Sequence, residues 1–140
     1  MDRAYEERWI DVYETKGKTT GAYSCGVYGV HPYVLLNFTE TFDDAFTLAH
    51  ELGHAMHSYL SNKHQNPVDA GYVIFVAEVA STFNEALLME HLLAKTTDKK
   101  ERAYLINHFL DQFKGTLYRQ TMFAEFELNI GRMVAEGRTL

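Results

Sequence analysis

Five consecutive residues, His50-Glu51-Leu52-Gly53-His54, carry the side chains of this sequence best suited to chemistry. An α-helix turns by about 100° per residue, so two histidines four positions apart share one face and can reach one metal ion. Imidazole nitrogens are common zinc ligands, and a glutamate between them can act as a base towards water that the metal activates. The alternative is an ordinary histidine-rich helix, but the complete HExxH pattern favours a site for metal-assisted hydrolysis.

A third ligand is required, because catalytic zinc usually has three protein ligands and one open position. His57 lies on the same helical face, but three side chains from one short helix cannot readily surround a tetrahedral ion. The longer pattern HExxHxxGxxH is excluded, because position 57 is histidine and position 60 is leucine. His64 lies beyond the predicted helix and stays an alternative ligand that no spacing supports.

A carboxylate in the next predicted helix is the better candidate. In AGYVIFVAEVASTFNEALL, Glu78 is the only charged residue before Glu85, and a carboxylate in so apolar a run is costly to bury unless it is paired or binds a metal. If the segment SNKHQNP reverses the chain, the two helices run antiparallel and Gly53 permits their close approach. Glu78 then faces the two histidines, and Glu85, on the same face, can hydrogen-bond one imidazole. The alternatives are a boundary residue for Glu78 and a plain surface carboxylate for Glu85.

The elements that must position these residues are mainly helical. Thr41, followed by Asp43 and Asp44, predicts the start of the metal-binding helix. We expect antiparallel long helices with a small β element before that helix, in one domain of residues 1–140. The predicted helices cover residues 2–14, 42–61, 69–95 and 97–136, the last with a kink near Gly115, and the predicted strand lies within PYVLLNF, residues 32–38.

Composition excludes several function classes. A net charge of −6 argues against nucleic-acid binding, because no basic stripe could neutralise a run of phosphates. No apolar run is long enough to span a membrane, and the charged start MDRAYEERWI does not resemble a signal peptide. The lone cysteine, Cys25, is compatible with a reducing compartment, and we expect it to be buried among its small neighbours. We therefore expect a cytoplasmic protein with neither a membrane nor a nucleic-acid partner.

Three segments in order resemble the oligoendopeptidase F branch of the thimet-oligopeptidase-like zinc metallopeptidases: KGKTTGAYSCGVYGVHPYVLLNF, DDAFTLAHELGHAMHSYLS and FVAEVASTFNEALL. The resemblance covers nearly the whole chain, and the form HExGHxxH, which includes His57, is particular to that group. It implies zinc ligands at His50, His54 and Glu78, with Glu51 as general base. It also implies a largely helical fold with a deep channel in which short peptides are cut. Glu85 and His57 are assigned to the residues that support the ligands.

The resemblance also implies a larger protein. Family members are several times longer, and the histidine and tyrosines with which they bind substrate have no counterpart before Leu140. We therefore expect the catalytic-core portion of a helical metallopeptidase, with an oligopeptide substrate as its partner. Surface that the missing parts would cover should favour self-association.

The predicted function is a zinc-dependent endopeptidase that hydrolyses short oligopeptides. PYVLLNF, or the glycine-rich stretch before it, could offer a strand edge to an extended peptide, and the alternative is an interior strand of a small sheet. One alternative is a non-catalytic zinc-binding fragment, or an inactive relative, acting in structure or association. Another is an aminopeptidase or carboxypeptidase with the same ligands.

Overall fold

The computed structural model describes residues 2–138 of the chain. These residues are mainly helical with one small sheet before the longest helix, so the predicted fold class is confirmed. They divide into two compact units, one ending at Glu90 and one beginning at His91. The elements in chain order are α1 (Asp2–Glu6), β1 (Ile10–Asp11), β2 (Tyr23–Cys25), β3 (Tyr33–Leu35), α2 (Phe42–His64), α3 (Ile74–Lys95), α4 (Lys99–Phe113), a π-helical turn (Lys114–Tyr118) and α5 (Arg119–Ala135).

The three strands form a sheet in the order β1-β3-β2. β3 is the central strand, parallel to β1 and antiparallel to β2, with Val34 opposite both Ile10 and Ser24. The predicted strand within residues 32–38 is therefore present as Tyr33–Leu35. Cys25, at the end of β2, is exposed, so its expected burial was wrong.

The predicted helix over residues 2–14 was wrong beyond Glu6. The chain leaves the helix through Arg8, which has a positive φ of 55°, and Ile10–Asp11 then joins the sheet. Burial of Trp9 between the sheet and α2 outweighs the helical pattern of this segment, because an indole removes a large apolar area from water. The resulting core consists of Ala4, Trp9, Val34, Leu36, Leu52 and Ala55.

α2 begins at the predicted position. The Asp44 amide donates to the Thr41 hydroxyl at 3.2 Å, and the Thr41 amide donates to the Asp44 carboxylate at 3.0 Å. The amide and hydroxyl of Thr39 donate to the same carboxylate. These hydrogen bonds, led by the one from the Thr41 backbone, lower the pKa of Asp44 to about 2. Because these hydrogen bonds fix where α2 begins, they also determine which way the later residues of the helix face, including the HExxH motif.

The second unit contains α4, the π-helical turn and α5. Asp98 caps α4 by accepting hydrogen bonds from the amides of Lys100 and Glu101. The kink predicted near Gly115 corresponds to the π-helical turn at Lys114–Tyr118. None of the helices described in residues 2–138 is long and apolar enough to cross a membrane.

Candidate metal centre

α2 and α3 cross in close contact at Gly53. A Cβ atom added to Gly53 would lie 2.6 Å from the Ser81 Cα and 2.7 Å from the Ala80 carbonyl oxygen, so only glycine permits this approach. One turn away, the Asn84 amide donates to the Ala49 carbonyl. Because later residues of α2 meet earlier residues of α3, the two helices run antiparallel. This direction places the polar face of α3 beside the motif histidines.

Three potential metal-ligand atoms meet beside this crossing. The His50 Nε2 atom lies 3.1 Å from the His54 Nε2 atom and 3.2 Å from the Glu78 Oε2 atom. The His54 Nε2 atom lies 3.5 Å from the same Glu78 oxygen. In the part of the chain that the structure describes, these three residues are the group able to hold a metal ion.

The donor set fits zinc. Zinc bonds to nitrogen and oxygen of about 2.1 Å place tetrahedral ligand atoms about 3.4 Å apart, close to the three separations observed here. Two imidazoles and one carboxylate are also a common ligand set for catalytic zinc, which keeps its fourth position open.

The other ring nitrogen of His50, Nδ1, is hydrogen-bonded to a second carboxylate. Its Nδ1 atom hydrogen-bonds Glu85 Oε1, which assigns the proton to Nδ1 and leaves Nε2 free to bind a metal. This hydrogen bond raises the pKa of His50. Burial lowers the pKa of His54, which favours the neutral imidazole that metal binding requires.

Glu51 lies buried at the same site, with 7% of its surface exposed. Burial raises the pKa of this carboxyl group, and the negative charges of Glu78 and Glu85 act in the same direction. A carboxylate in such surroundings is a stronger base than one in water.

Comparison with known proteins gives the family of this chain. The sequence profile of Peptidase family M3 matches residues 1–140. The chain belongs to Peptidase family M3.

Relatives within the M3 family show which branch of the family this chain resembles. Oligopeptidase PepF of Bacillus subtilis is 56% identical over 140 residues, which are 100% of this chain and 21% of that protein. An oligoendopeptidase F homolog of Lactococcus lactis is 53% identical over 98% of this chain and 23% of its own length. A crystal structure from Chlamydophila abortus matches with a TM-score of 0.76 at 50% identity, covering 92% of this chain and 22% of the other.

These findings confirm the resemblance to the oligoendopeptidase F branch of the M3 family. The chain spans about a fifth of the length of the curated relatives it matches.

Two other histidines of this M3 chain lie apart from the three ligand atoms. The His57 ring stacks on Tyr72, with ring centroids 3.9 Å apart. The supporting role expected for His57 stays a prediction. His64 is the last residue of α2, and its Nδ1 atom pairs with the Leu60 carbonyl at 2.9 Å, so the alternative third ligand is not brought to the site.

Two polar residues on α3 were missed by the sequence analysis. Ser81 hydrogen-bonds the Glu78 carboxylate, and Asn84 joins α3 to the backbone of α2. The signal for Ser81 was its spacing of three residues from Glu78, which places both on one helical face. Nothing in the sequence indicates that the Asn84 amide reaches the carbonyl of Ala49.

Proposed function

We propose that this chain carries the zinc site of an endopeptidase that hydrolyses short oligopeptides. The supporting observation is the convergence of His50 Nε2, His54 Nε2 and Glu78 Oε2 from two helices, at separations suited to one zinc ion. Membership of Peptidase family M3 supports peptide hydrolysis in general. The proposal includes a cytoplasmic location, with which the free Cys25 thiol is compatible.

Zinc held by these residues would polarise the scissile carbonyl and make water acidic enough to react at neutral pH. Glu51 then acts as general base: its buried carboxylate accepts the proton of the attacking water and returns it to the leaving amine. Its raised pKa suits both transfers, because the carboxylate is a stronger base and the acid it forms still gives up its proton.

The free edge of β2 is the proposed strand edge for an extended peptide. β3 is flanked on both sides, so PYVLLNF offers no free edge, whereas β2 pairs only with β3 among the described strands. α2 packs against β2, and a Cβ atom at Gly26 would lie 2.5 Å from the Ser58 Cβ, so this strand end lies close to the metal-binding helix. A peptide with N-methylated backbone amides should show a higher KM than its unmodified counterpart, because it loses ladder hydrogen bonds.

The decisive experiment combines zinc binding with peptide cleavage. The chain is titrated with zinc against a chromophoric chelator, and cleavage of a fluorogenic oligopeptide is measured with and without excess chelator. We expect one zinc ion per chain and chelator-sensitive cleavage. Glu51→Gln should keep zinc and lose at least about 100-fold in kcat, because a general base contributes that much or more.

Controls separate the alternatives. His54→Ala should lose zinc, whereas His64→Ala should keep wild-type zinc affinity, because its ring pairs with a backbone carbonyl of α2. Binding of one zinc ion per chain without peptide cleavage would favour the non-catalytic zinc-binding fragment. Peptides blocked at both ends distinguish an endopeptidase from an aminopeptidase or carboxypeptidase, since only the endopeptidase cuts them. Absence of zinc binding by the folded chain would contradict the proposal.

A further inference from the structure

Ser81 occupies the tightest part of the contact between α2 and α3. The residue is fully buried, with 0% of its surface exposed, and its Cα atom lies 2.6 Å from the position that a Cβ at Gly53 would take. A small side chain is therefore required at position 81. Alanine would satisfy that packing requirement as well as serine does, so the hydroxyl needs a separate explanation.

The hydroxyl contacts the carboxylate of the proposed ligand. Ser81 Oγ lies 2.7 Å from Glu78 Oε2 and 3.1 Å from the Glu78 carbonyl oxygen. Serine has a single O–H donor, and the shorter distance favours the carboxylate as its main acceptor. The same Glu78 oxygen faces both imidazoles, at 3.2 Å from His50 Nε2 and 3.5 Å from His54 Nε2.

Glu78 needs such a hydrogen bond, because burial does not fix its orientation. Its side chain is 57% exposed, and an exposed glutamate samples several rotamers. A buried hydroxyl on a rigid helix removes part of that freedom by holding one carboxylate oxygen. The remaining lone pair of that oxygen is then directed towards the histidines.

We propose that Ser81 is a positioning residue for the metal site: its hydroxyl holds Glu78 Oε2 in the orientation that binds the ion. The inference rests on the proposed function. Ser81 acts through Glu78 and touches neither metal nor substrate. The competing explanation is a hydrogen bond from the serine hydroxyl to the carbonyl three residues earlier. Serine often makes such a bond within helices, and the bond would not affect metal binding.

The test measures the zinc dissociation constant of the 140-residue chain by competition with a chromophoric chelator. Ser81→Ala should raise that constant about tenfold, as loss of a hydrogen bond to a ligand usually does. The visible absorption of the cobalt-substituted chain should also change, because it reports the geometry of the ligand atoms. Ser58→Ala is the matched control: Ser58 is a buried serine whose hydroxyl pairs with the Tyr72 hydroxyl at 2.7 Å, away from Glu78.

A double-mutant cycle with Glu78→Ala isolates the interaction. If Ser81 acts through the carboxylate, Ser81→Ala changes zinc affinity in the wild-type background and has no further effect in Glu78→Ala. Equal effects in both backgrounds, or equal zinc affinity for Ser81→Ala and Ser58→Ala, would overturn the inference. Wild-type chain that binds no zinc would overturn the proposed function as well. If circular dichroism shows Ser81→Ala unfolded, Ser81→Gly, which leaves more room beside Gly53, carries the same expectations.

Discussion

The His50 imidazole lies between two carboxylates that have different tasks. Glu85 accepts a hydrogen bond from the Nδ1–H group, whereas Glu78 Oε2 faces Nε2 at 3.2 Å. The first contact fixes the tautomer and the ring plane, and the second brings the third proposed ligand beside Nε2. The spacing of the two glutamates on α3, seven residues, puts them on one face of the helix, from which one reaches Nδ1 and the other faces Nε2.

Replacing Glu85 tests this division of tasks. We expect Glu85→Ala to weaken zinc binding by about 10- to 100-fold, because the His50 ring loses the acceptor that orients it. The zinc dissociation constant is measured by chelator competition at constant pH. Glu90→Ala, an exposed carboxylate on the same helix, is the control and should leave affinity unchanged. Similar losses in both variants would show that only the net charge of α3 matters.

At the scale of the element, the site depends on how closely two helices approach. Gly53 lies between the two motif histidines along α2, and it is also the contact point with α3. One position therefore sets the helix spacing and the distance between the histidines and Glu78. The pattern HExGH identifies the glycine, but its role follows from the partner atoms Ser81 Cα and Ala80 O.

Gly53→Ala should destabilise the chain although alanine favours helix. The added methyl group meets backbone atoms, and overpacking of this kind costs about 1–3 kcal/mol in the free energy of unfolding. Gly131→Ala is the matched control in α5: its Cβ would meet nothing within 4 Å, and it should stabilise the helix by about 1 kcal/mol. Urea denaturation monitored by circular dichroism measures both. A stabilised Gly53→Ala would mean that the helices are farther apart.

The start of α2 predicts a specific pH dependence. The pKa of Asp44 is about 2 in the folded chain and 3.8 in its ordinary state, so its carboxylate stabilises the fold above pH 3.8 and loses that contribution as the pH falls through 2. Asp44→Asn should therefore lower the melting temperature at neutral pH, and the difference from wild type should shrink as the pH approaches 2 and vanish below it. Asp43→Asn removes the same charge from the same turn without touching the cap, and it should have a smaller effect. A difference that persists unchanged at pH 2 would contradict this account.

At the scale of the molecule, the second unit exposes more apolar surface than a free-standing chain usually does. α5 has no buried residue among those described, and Tyr118, Met122 and Phe126 are 75%, 57% and 62% exposed at successive helical turns. Such a stripe normally lies against another surface. This agrees with a chain that spans about a fifth of the length of its relatives.

We expect the 140-residue chain to associate with itself in solution through this stripe. Light scattering after size-exclusion chromatography should give a mass that rises with concentration, because apolar surface is removed from water on association. Met122→Lys combined with Phe126→Lys should shift the distribution towards monomer. Gln120→Lys places a single lysine on an exposed polar position of the same helix and should not. A monomer at every concentration would contradict the prediction.

Local sequence patterns determined the parts of this protein that depend on neighbours along the chain. Helical spacing placed His50 and His54 on one face, and the HExxH pattern added Glu51. Thr41, followed by acidic residues, predicted the start of α2. Glu78 was predicted from its isolation in an apolar run, but its side chain is 57% exposed in the structure, so the expected cost of burying it does not apply. These signals are local because helical periodicity and capping are set by residues within one or two turns.

The tertiary structure alone decided what depends on contacts across the chain. It turned residues 10–11 from helix into strand, directed His57 towards Tyr72, made β3 central, and joined the Asn84 amide to the backbone of α2. Each of these outcomes is fixed by packing between segments distant in sequence. Such contacts leave no periodic signal, because either partner alone is compatible with several environments.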